Sequence, residues 1–278
     1  MRVATGSVFG GSLNRMAMTP AARGNAWETV LSELRSAGYA LLAPAVAVSA
    51  LGLDPAALTA LAESWERLPR DPYLRDGGHY RARRHSCFTY TVANGVLAPV
   101  ARRPHWQPTT YNALHGGLLR WFEPLEPQVA DAAAFHQLLA ALASLFARLQ
   151  TVERWSIEAH QFRIDTQGGI GRPTPEGAHR DGVDFVAIVL VRRGAVRGGE
   201  TRVFEAQGSR GVRFTMEQPW STLLLDDARV IHETTPIQQE SAGLPDSAPA
   251  AAPQSASVRD TLVLTYRARG FQEPAGGG

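Results

Sequence analysis

Apolar residues recur at two different periods along this chain, and the change of period divides it. Trp27, Val30, Leu31 and Leu34 fall at three- and four-residue steps before Gly38, predicting an amphipathic helix with a glycine beyond its last turn. Asp54 before Pro55 reads as an N-cap with proline at the first helical position, and Leu58, Leu61, Ala62 and Trp65 carry a second helix to the neighbourhood of Leu68. A third helix is expected over residues 127–152, where Val129, Phe135, Leu138, Leu139, Leu142, Leu145, Phe146 and Leu149 form one apolar stripe. Strand signals then take over, at residues 87–92, 156–165, 185–192, 200–205, 212–215, 221–225 and 260–266. So many short strands, punctuated by Arg197-Gly-Gly199 and Gln207-Gly208, argue a mainly β barrel or jelly roll with helices packed outside it. The expected organisation is one domain: a helical region over residues 1–70 on a β core over 71–278. A flexible start lies at 4–14, and the Ser-, Ala- and Pro-rich residues 239–257 predict a disordered loop.

Composition narrows the function classes. With 278 residues and 44% hydrophobic positions the chain can bury a substantial core. Its 28 basic and 26 acidic residues are intermixed, so no nucleic-acid partner is expected. A single cysteine, Cys87, excludes an intramolecular disulfide or a multi-cysteine metal site and points to a reducing, cytoplasmic setting. Residues 1–24 lack the apolar core of a signal peptide, and the apolar run at 39–53 is interrupted by Pro44, so no membrane role is expected.

The candidate chemistry lies in Glu176-Gly-Ala-His179-Arg-Asp181-Gly and, much further along, Leu225-Asp-Asp-Ala-Arg-Val-Ile-His232. In an extended segment His179 and Asp181 project on one side while Arg180 points away. Two imidazoles and one carboxylate form the facial triad that leaves iron(II) open positions for a cosubstrate and dioxygen. Tyr80-Arg81-Ala-Arg83-Arg84-His85 would put Arg81 and Arg83 on one strand face, suited to a substrate carboxylate or to a solvated edge. Asp184 is a candidate for a substrate ammonium by proximity alone. Cys87 reads as a buried structural thiol, no Gly-x-Ser-x-Gly elbow occurs, and Gly168-Gly-Ile-Gly171 lacks the lysine and helix of a phosphate loop.

Gly177-Ala-His-Arg-Asp-Gly-Val-Asp-Phe-Val-Ala-Ile188, Gly198-Gly-Glu-Thr201, Leu223-Leu-Leu-Asp-Asp227 and Val230-Ile-His-Glu-Thr-Thr-Pro-Ile-Gln238 resemble the iron(II)/2-oxoglutarate dioxygenases that hydroxylate free amino acids in bacteria, the isoleucine 4-hydroxylase group above all. The likeness is specific from Trp155 to Tyr266, looser through Tyr111-Asn-Ala-Leu-His-Gly-Gly117, and absent from the first seventy or so residues beyond their being helical. It implies a double-stranded β-helix (jelly roll, cupin-like) core, with iron(II) on His179, Asp181 and His232 and with 2-oxoglutarate and dioxygen as cosubstrates. It also implies that Arg259, with Thr261 on the same strand face, holds the distal carboxylate of 2-oxoglutarate; Arg163, Arg267 and Arg269 are nearby competitors. The implied reaction is hydroxylation of an amino acid with release of succinate and carbon dioxide. Asp181, a carboxylate where a halide would otherwise bind, argues hydroxylation over halogenation. A cupin-like metal-dependent hydrolase or isomerase, and a non-catalytic small-molecule-binding barrel, are the alternatives.

Overall fold

The computed structural model describes residues 20–240 and 257–274. The glycine-rich start and residues 241–256 of the expected disordered loop lie outside the described residues.

In chain order the strands are β1 (Tyr39–Leu42), β2 (Arg81–Thr91), β3 (Val96–Pro99), β4 (Arg154–Asp165), β5 (Ile170–Gly171), β6 (Phe185–Arg193), β7 (Val196–Gly198), β8 (Glu200–Glu205), β9 (Gly211–Thr215), β10 (Thr222–Asp226), β11 (Val230–Thr234), β12 (Ile237–Gln239) and β13 (Val258–Arg267). A seven-stranded antiparallel sheet runs β1-β10-β6-β13-β4-β2-β3, and two three-stranded sheets run β11-β8-β9 and β5-β12-β7. This is the expected jelly roll. β1 is a correction: it lies in the region expected to be helical, yet it pairs with β10 at the edge of the main sheet, from Tyr39 opposite Leu225 to Leu42 opposite Thr222. Four residues were too short a run to show a period.

The helices are α1 (Pro20–Ala37), α2 (Pro44–Ala50), α3 (Pro55–Ala62), α4 (Pro127–Ala130) and α5 (Ala133–Phe146). The Asp54 carboxylate accepts from the Ala56 amide at 3.0 Å and caps α3 as its sequence indicates. Gly38, at φ +79°, ends α1, where the Arg229 guanidinium donates to the carbonyls of Leu34, Arg35 and Ser36. The single helix expected over residues 127–152 is broken at Asp131 and Ala132 and stops at Phe146. At the break His136 Nε2 donates to the orphaned Ala130 carbonyl at 2.7 Å, and beyond Phe146 the turn tightens to i→i−3 bonds. No single helix among the described residues is long and apolar enough to cross a membrane.

Strand alternation gives the main sheet two different faces. Trp155, Ile157, Ala159, Leu262, Leu264 and Tyr266 pack with α5 and the other helices in the larger core. Two polar tips pin that helix to the sheet: Trp155 Nε1 donates to Ala143 O and the Tyr266 hydroxyl to Leu139 O, each at 3.0 Å. The uninterrupted apolar run Phe185-Val-Ala-Ile-Val-Leu-Val191 is buried on both sides, with Val186, Ile188 and Leu190 in a second core beneath the small sheets. The opposite face of β4 and β13 carries Glu158, His160, Arg259, Thr261 and Thr265 into the interior.

Asp260 fixes the start of β13. Its fully buried carboxylate accepts from Arg163 Nε and Nη2 at 2.8 Å and from Arg192 Nε at 2.9 Å, and Glu66 closes the network on both arginines. Asp260→Ala is expected to lower the unfolding free energy by about 3 kcal/mol, because two guanidiniums lose their buried partner while keeping Glu66. The measurement is a drop in denaturant midpoint at unchanged slope; a loss below about 0.5 kcal/mol would show that Glu66 alone suffices.

Candidate active site

His179, Asp181 and His232 come together with ligand atoms within 4.8 Å of one another. His179 Nε2 is 3.9 Å from Asp181 Oδ1, His232 Nε2 is 3.8 Å from Asp181 Oδ2, and the imidazole centroids are 4.6 Å apart. The segment around His179 is not a regular strand. It is an extended loop joined to β11 by an isolated bridge, in which the amides and carbonyls of His179 and His232 exchange hydrogen bonds at 3.0 and 2.9 Å. That bridge does the work that strand alternation was expected to do. His179 Nδ1 donates to Gly177 O at 3.0 Å, which leaves the Nε2 lone pair facing the cluster.

Three backbone amides in a row hold the ligand loop. Asp227, with no exposed surface, accepts from the amides of Asp181, Gly182 and Val183 at 2.9, 2.8 and 3.1 Å. Gln272 Nε2 clamps the same turn through the carbonyls of Asp181 and Gly182. Gly182 sits at φ +76°, and a Cβ there would lie 2.4 Å from the Tyr111 ring, so only glycine fits. From the other side Arg120 Nη2 donates to Gln107 Oε1 at 3.0 Å, and Gln107 Nε2 donates to Asp181 Oδ1 at 3.2 Å.

The electrostatics of this cluster fit a cation. Burial pushes the His179 imidazole down, but the carboxylates of Asp181 and Glu176 outweigh it and raise its pKa. Burial and the charge of Asp181 push the Asp227 carboxyl up to about 7, although three amides favour its ionised form. Excess negative charge around three convergent ligand atoms is what a divalent ion would neutralise, and iron(II) suits the His, Asp, His set.

Arg259 and Thr261 share the cavity-facing side of β13, both buried. Arg259 Nε has no hydrogen-bond partner among the described residues, and burial together with the neighbouring Arg193 pushes its pKa down to about 10. A buried guanidinium with a free Nε in the same cavity as the triad fits a ligand carboxylate. Two competitors are engaged elsewhere, Arg163 with Glu66 and Asp260, and Arg267 with the carbonyls of Arg269 and Gly270. Arg269 is exposed.

Arg81 and Arg83 both line the cavity from β2, one face apart from the apolar core. Arg81 Nε is bound to the buried carboxylate of Asp71 at 2.7 Å. Arg83 lies between the rings of Phe122 and Phe162, 3.9 and 4.3 Å from their centroids. Asp184 is a correction: its carboxylate accepts from Gln150 Nε2 at 3.0 Å and from the Ala268 amide at 2.8 Å, and it does not line the cavity. Sequence proximity to Asp181 misled because Gly182 turns the chain between them. Cys87 is buried, and burial and Glu158 push its thiol well up, as befits a structural residue.

Several lining residues escaped the sequence reading. Glu158 and His160 are polar positions alternating with buried apolar ones on a strand that was recognised, so their inward face was discoverable. Gln107, Asn112 and Arg120 sit in a loop closed by an isolated bridge between His105 and Arg120, which leaves no period in the sequence.

Residues 62–265 match the 2OG-Fe dioxygenase family. The fold is similar to that of a bsmA homolog from Methylobium petroleophilum PM1, with a TM-score of 0.82 at 55% identity over 90% of this chain and 96% of that one. It is also similar to IDO from Bacillus thuringiensis (TM-score 0.68, 16% identity, 89% of this chain and 100% of that one) and to the Fe(II)/(alpha)ketoglutarate-dependent dioxygenase TqaL (0.64, 18%, 94% and 92%). At the latter identities the likeness is one of fold. No curated protein sequence matches the chain. A family match over most of the length, on a jelly roll that gathers two histidines and an aspartate beside an unpartnered arginine, places this chain in the 2OG-Fe dioxygenase family, whose cofactor is iron(II) and whose cosubstrates are 2-oxoglutarate and dioxygen.

Proposed function

We propose that this dioxygenase hydroxylates an unactivated carbon of a free L-amino acid, aliphatic in its side chain, or of a close derivative. The observation that carries the reading is the charge pattern of one cavity. Arg81, Arg83, Arg120 and Arg259 line it, against Glu158, Glu176 and Asp181, with Asp71 paired to Arg81 behind it. Four guanidiniums thus meet four carboxylates. Iron(II) and the 2-oxoglutarate dianion cancel each other, so the remaining ligand should be net neutral and carry both signs. A zwitterionic amino acid has that character, and Val183, Ile188 and Val263 supply apolar lining for its side chain. The resemblance of the His179, Asp181 and His232 segments to amino-acid hydroxylases supports the same substrate class.

In this reading His179, Asp181 and His232 hold iron(II), which with 2-oxoglutarate and dioxygen supplies the oxidant; one oxygen atom goes to succinate, released with carbon dioxide, and one to the substrate C–H. Arg259 and Thr261 grip the distal carboxylate of 2-oxoglutarate. Arg83 and Arg120 offer donors to the substrate carboxylate, Arg83 being held in place by its two phenyl faces. Asp227 and Gln272 keep the ligand loop from relaxing when charge changes at the metal. A metal-dependent hydrolase or isomerase would have no use for Arg259, and a non-catalytic barrel none for an open triad.

The test is succinate formation with ferrous ion across the twenty proteinogenic amino acids and their N-substituted forms, with the hydroxyl located by NMR. Coupling of succinate to one or more aliphatic members, abolished in His179→Ala and under anaerobic conditions, is the expected result. Coupling only to peptides or to acids without an amine would sink the amino-acid assignment. Asp227→Asn is expected to weaken ferrous-ion binding by about ten- to a hundredfold in metal titrations, since the amide cannot accept from all three loop N–H groups. Arg259→Gln is expected to raise the KM for 2-oxoglutarate at least about thirtyfold, equivalent to about 2 kcal/mol, with little effect on metal content.

A further inference from the structure

The cavity carries a second set of potential ligands. His85, His105, Glu158 and His160 are all buried, with ligand atoms within 4.8 Å of one another. His105 Nδ1, His85 Nε2 and His160 Nε2 converge on one oxygen, Glu158 Oε2, at 2.6, 3.0 and 3.5 Å. By residue type the cluster would suit a divalent transition ion.

Proton positions argue otherwise. Arg83 Nη2 lies 2.7 Å from His160 Nδ1. A guanidinium only donates, so Nδ1 is the acceptor and neutral His160 carries its proton on Nε2, the atom an ion would need. Arg83 cannot readily leave, being sandwiched between Phe122 and Phe162. Stacking of His85 on His160 at 4.6 Å and the edge contact of His105 with His160 at 4.7 Å fix the remaining rings. Burial pushes His105 down to about 4 and His160 well below its ordinary range, so these two imidazoles are neutral N–H donors near pH 7. Burial alone would push the Glu158 carboxyl up; the hydrogen bonds donated by His105, His160 and His85 act against it and favour the ionised form.

Glu158 is therefore a fixed negative charge with one oxygen committed to histidines. It lines the cavity with 10% of its side chain exposed. On the β4–β13 ladder Glu158 stands opposite Thr265, whereas Arg259 stands opposite Ile164. Six residues separate those rungs, about 20 Å along the strands, so Glu158 and the arginine for 2-oxoglutarate mark opposite ends of one cavity. Glu176, the other free carboxylate, is 3.6 Å from His179 Nε2 and belongs to the metal side.

We propose that Glu158 is the acceptor for the ammonium group of the substrate, with His85, His105 and His160 as positioning residues, and that the cluster is an ammonium receptor and not a second metal centre. The inference rests on the amino-acid reading above. It assigns specificity for a free amine to a residue outside the triad.

The experiment is anaerobic titration of the ferrous 2-oxoglutarate holoenzyme with aliphatic amino acids and with the same acids lacking the amino group. Binding is followed by the iron–2-oxoglutarate charge-transfer absorption and by calorimetry, in wild type, Glu158→Gln and Glu176→Gln. Wild type should prefer the amino acid by about ten- to a hundredfold, the worth of a hydrogen bond to a charged group. Glu158→Gln should erase that preference by weakening the amino acid alone, leaving the des-amino acid and 2-oxoglutarate within about twofold, which also reports an intact fold. Cobalt(II) titration should give one equivalent per chain. A second equivalent that disappears in Glu158→Gln overturns the inference in favour of a metal centre, and loss of amine preference in Glu176→Gln alone moves the acceptor elsewhere. Unchanged amino-acid affinity in Glu158→Gln overturns this inference but not the substrate class; failure of every amino acid to bind wild type overturns both.

Discussion

Everything at the metal end of this molecule depends on one buried carboxylate receiving three consecutive backbone amides. Asp227 opens the tight connection between β10 and β11, and its oxygens are filled by the N–H groups of Asp181, Gly182 and Val183. The segment carrying two of the three ligands has no regular ladder of its own, so without that acceptor its amides would be buried and unpaired. Asp227 thereby converts a loop into a fixed platform, and His232 is carried on the very next strand. One short stretch of chain sets both halves of the triad. The left-handed turn at Gly182 is the geometric condition for this, since it lets three amides point at a single carboxylate.

A second constraint acts on the sheet. β4 and β13 must be apolar towards the helices and polar towards the cavity, and the helix side supplies the adhesion. Trp155 and Tyr266 bury their rings and spend their polar tips on α5 carbonyls, so the strands cannot slide without losing both kinds of contact. Asp260, pointing away from the cavity between Arg259 and Thr261, fixes the register at the other end through Arg163 and Arg192. A one-residue slip would exchange Asp260 for Arg259 inside the cavity. The ion network outside therefore determines which charge is presented within.

Much of this was legible in the sequence, for physical reasons. The Arg259-Asp-Thr261 alternation survives because side-chain direction on a strand follows from period two alone, and the HxD spacing survives on an extended loop that its bridge to the distant His232 holds in place. The continuous apolar run of β6 and the Asp54-Pro55 helix start are equally local. What failed was non-local. Tyr39–Leu42 became a strand through pairing with β10, and the break in the long helix is stabilised by His136 reaching back to Ala130. Asp184 looked like a site residue from its neighbours, but Gly182 reverses the chain and sends it to Gln150 and Ala268. Arg120 and Gln107 reach Asp181 through a chain of hydrogen bonds whose members lie far apart in sequence, which no periodicity encodes.

With an amino acid as the proposed substrate, the two ends of the cavity face a common problem, since it and 2-oxoglutarate would both present carboxylates to a space lined with arginines. Guanidiniums alone would let either molecule occupy either end. On that reading Glu158 breaks the symmetry: a buried carboxylate on which three imidazoles converge would repel the dianion while accepting an ammonium. At the opposite end Arg259 Nε has no hydrogen-bond partner among the described residues and Arg193 is its neighbour, so an ammonium there would meet like charge. Which molecule takes which end then follows from the placement of one buried anion and one buried cation at either end of the same strand ladder. On this view the histidines around Glu158 resemble a second metal site because both tasks require neutral imidazoles gathered around a carboxylate, and only the direction of the protons separates them.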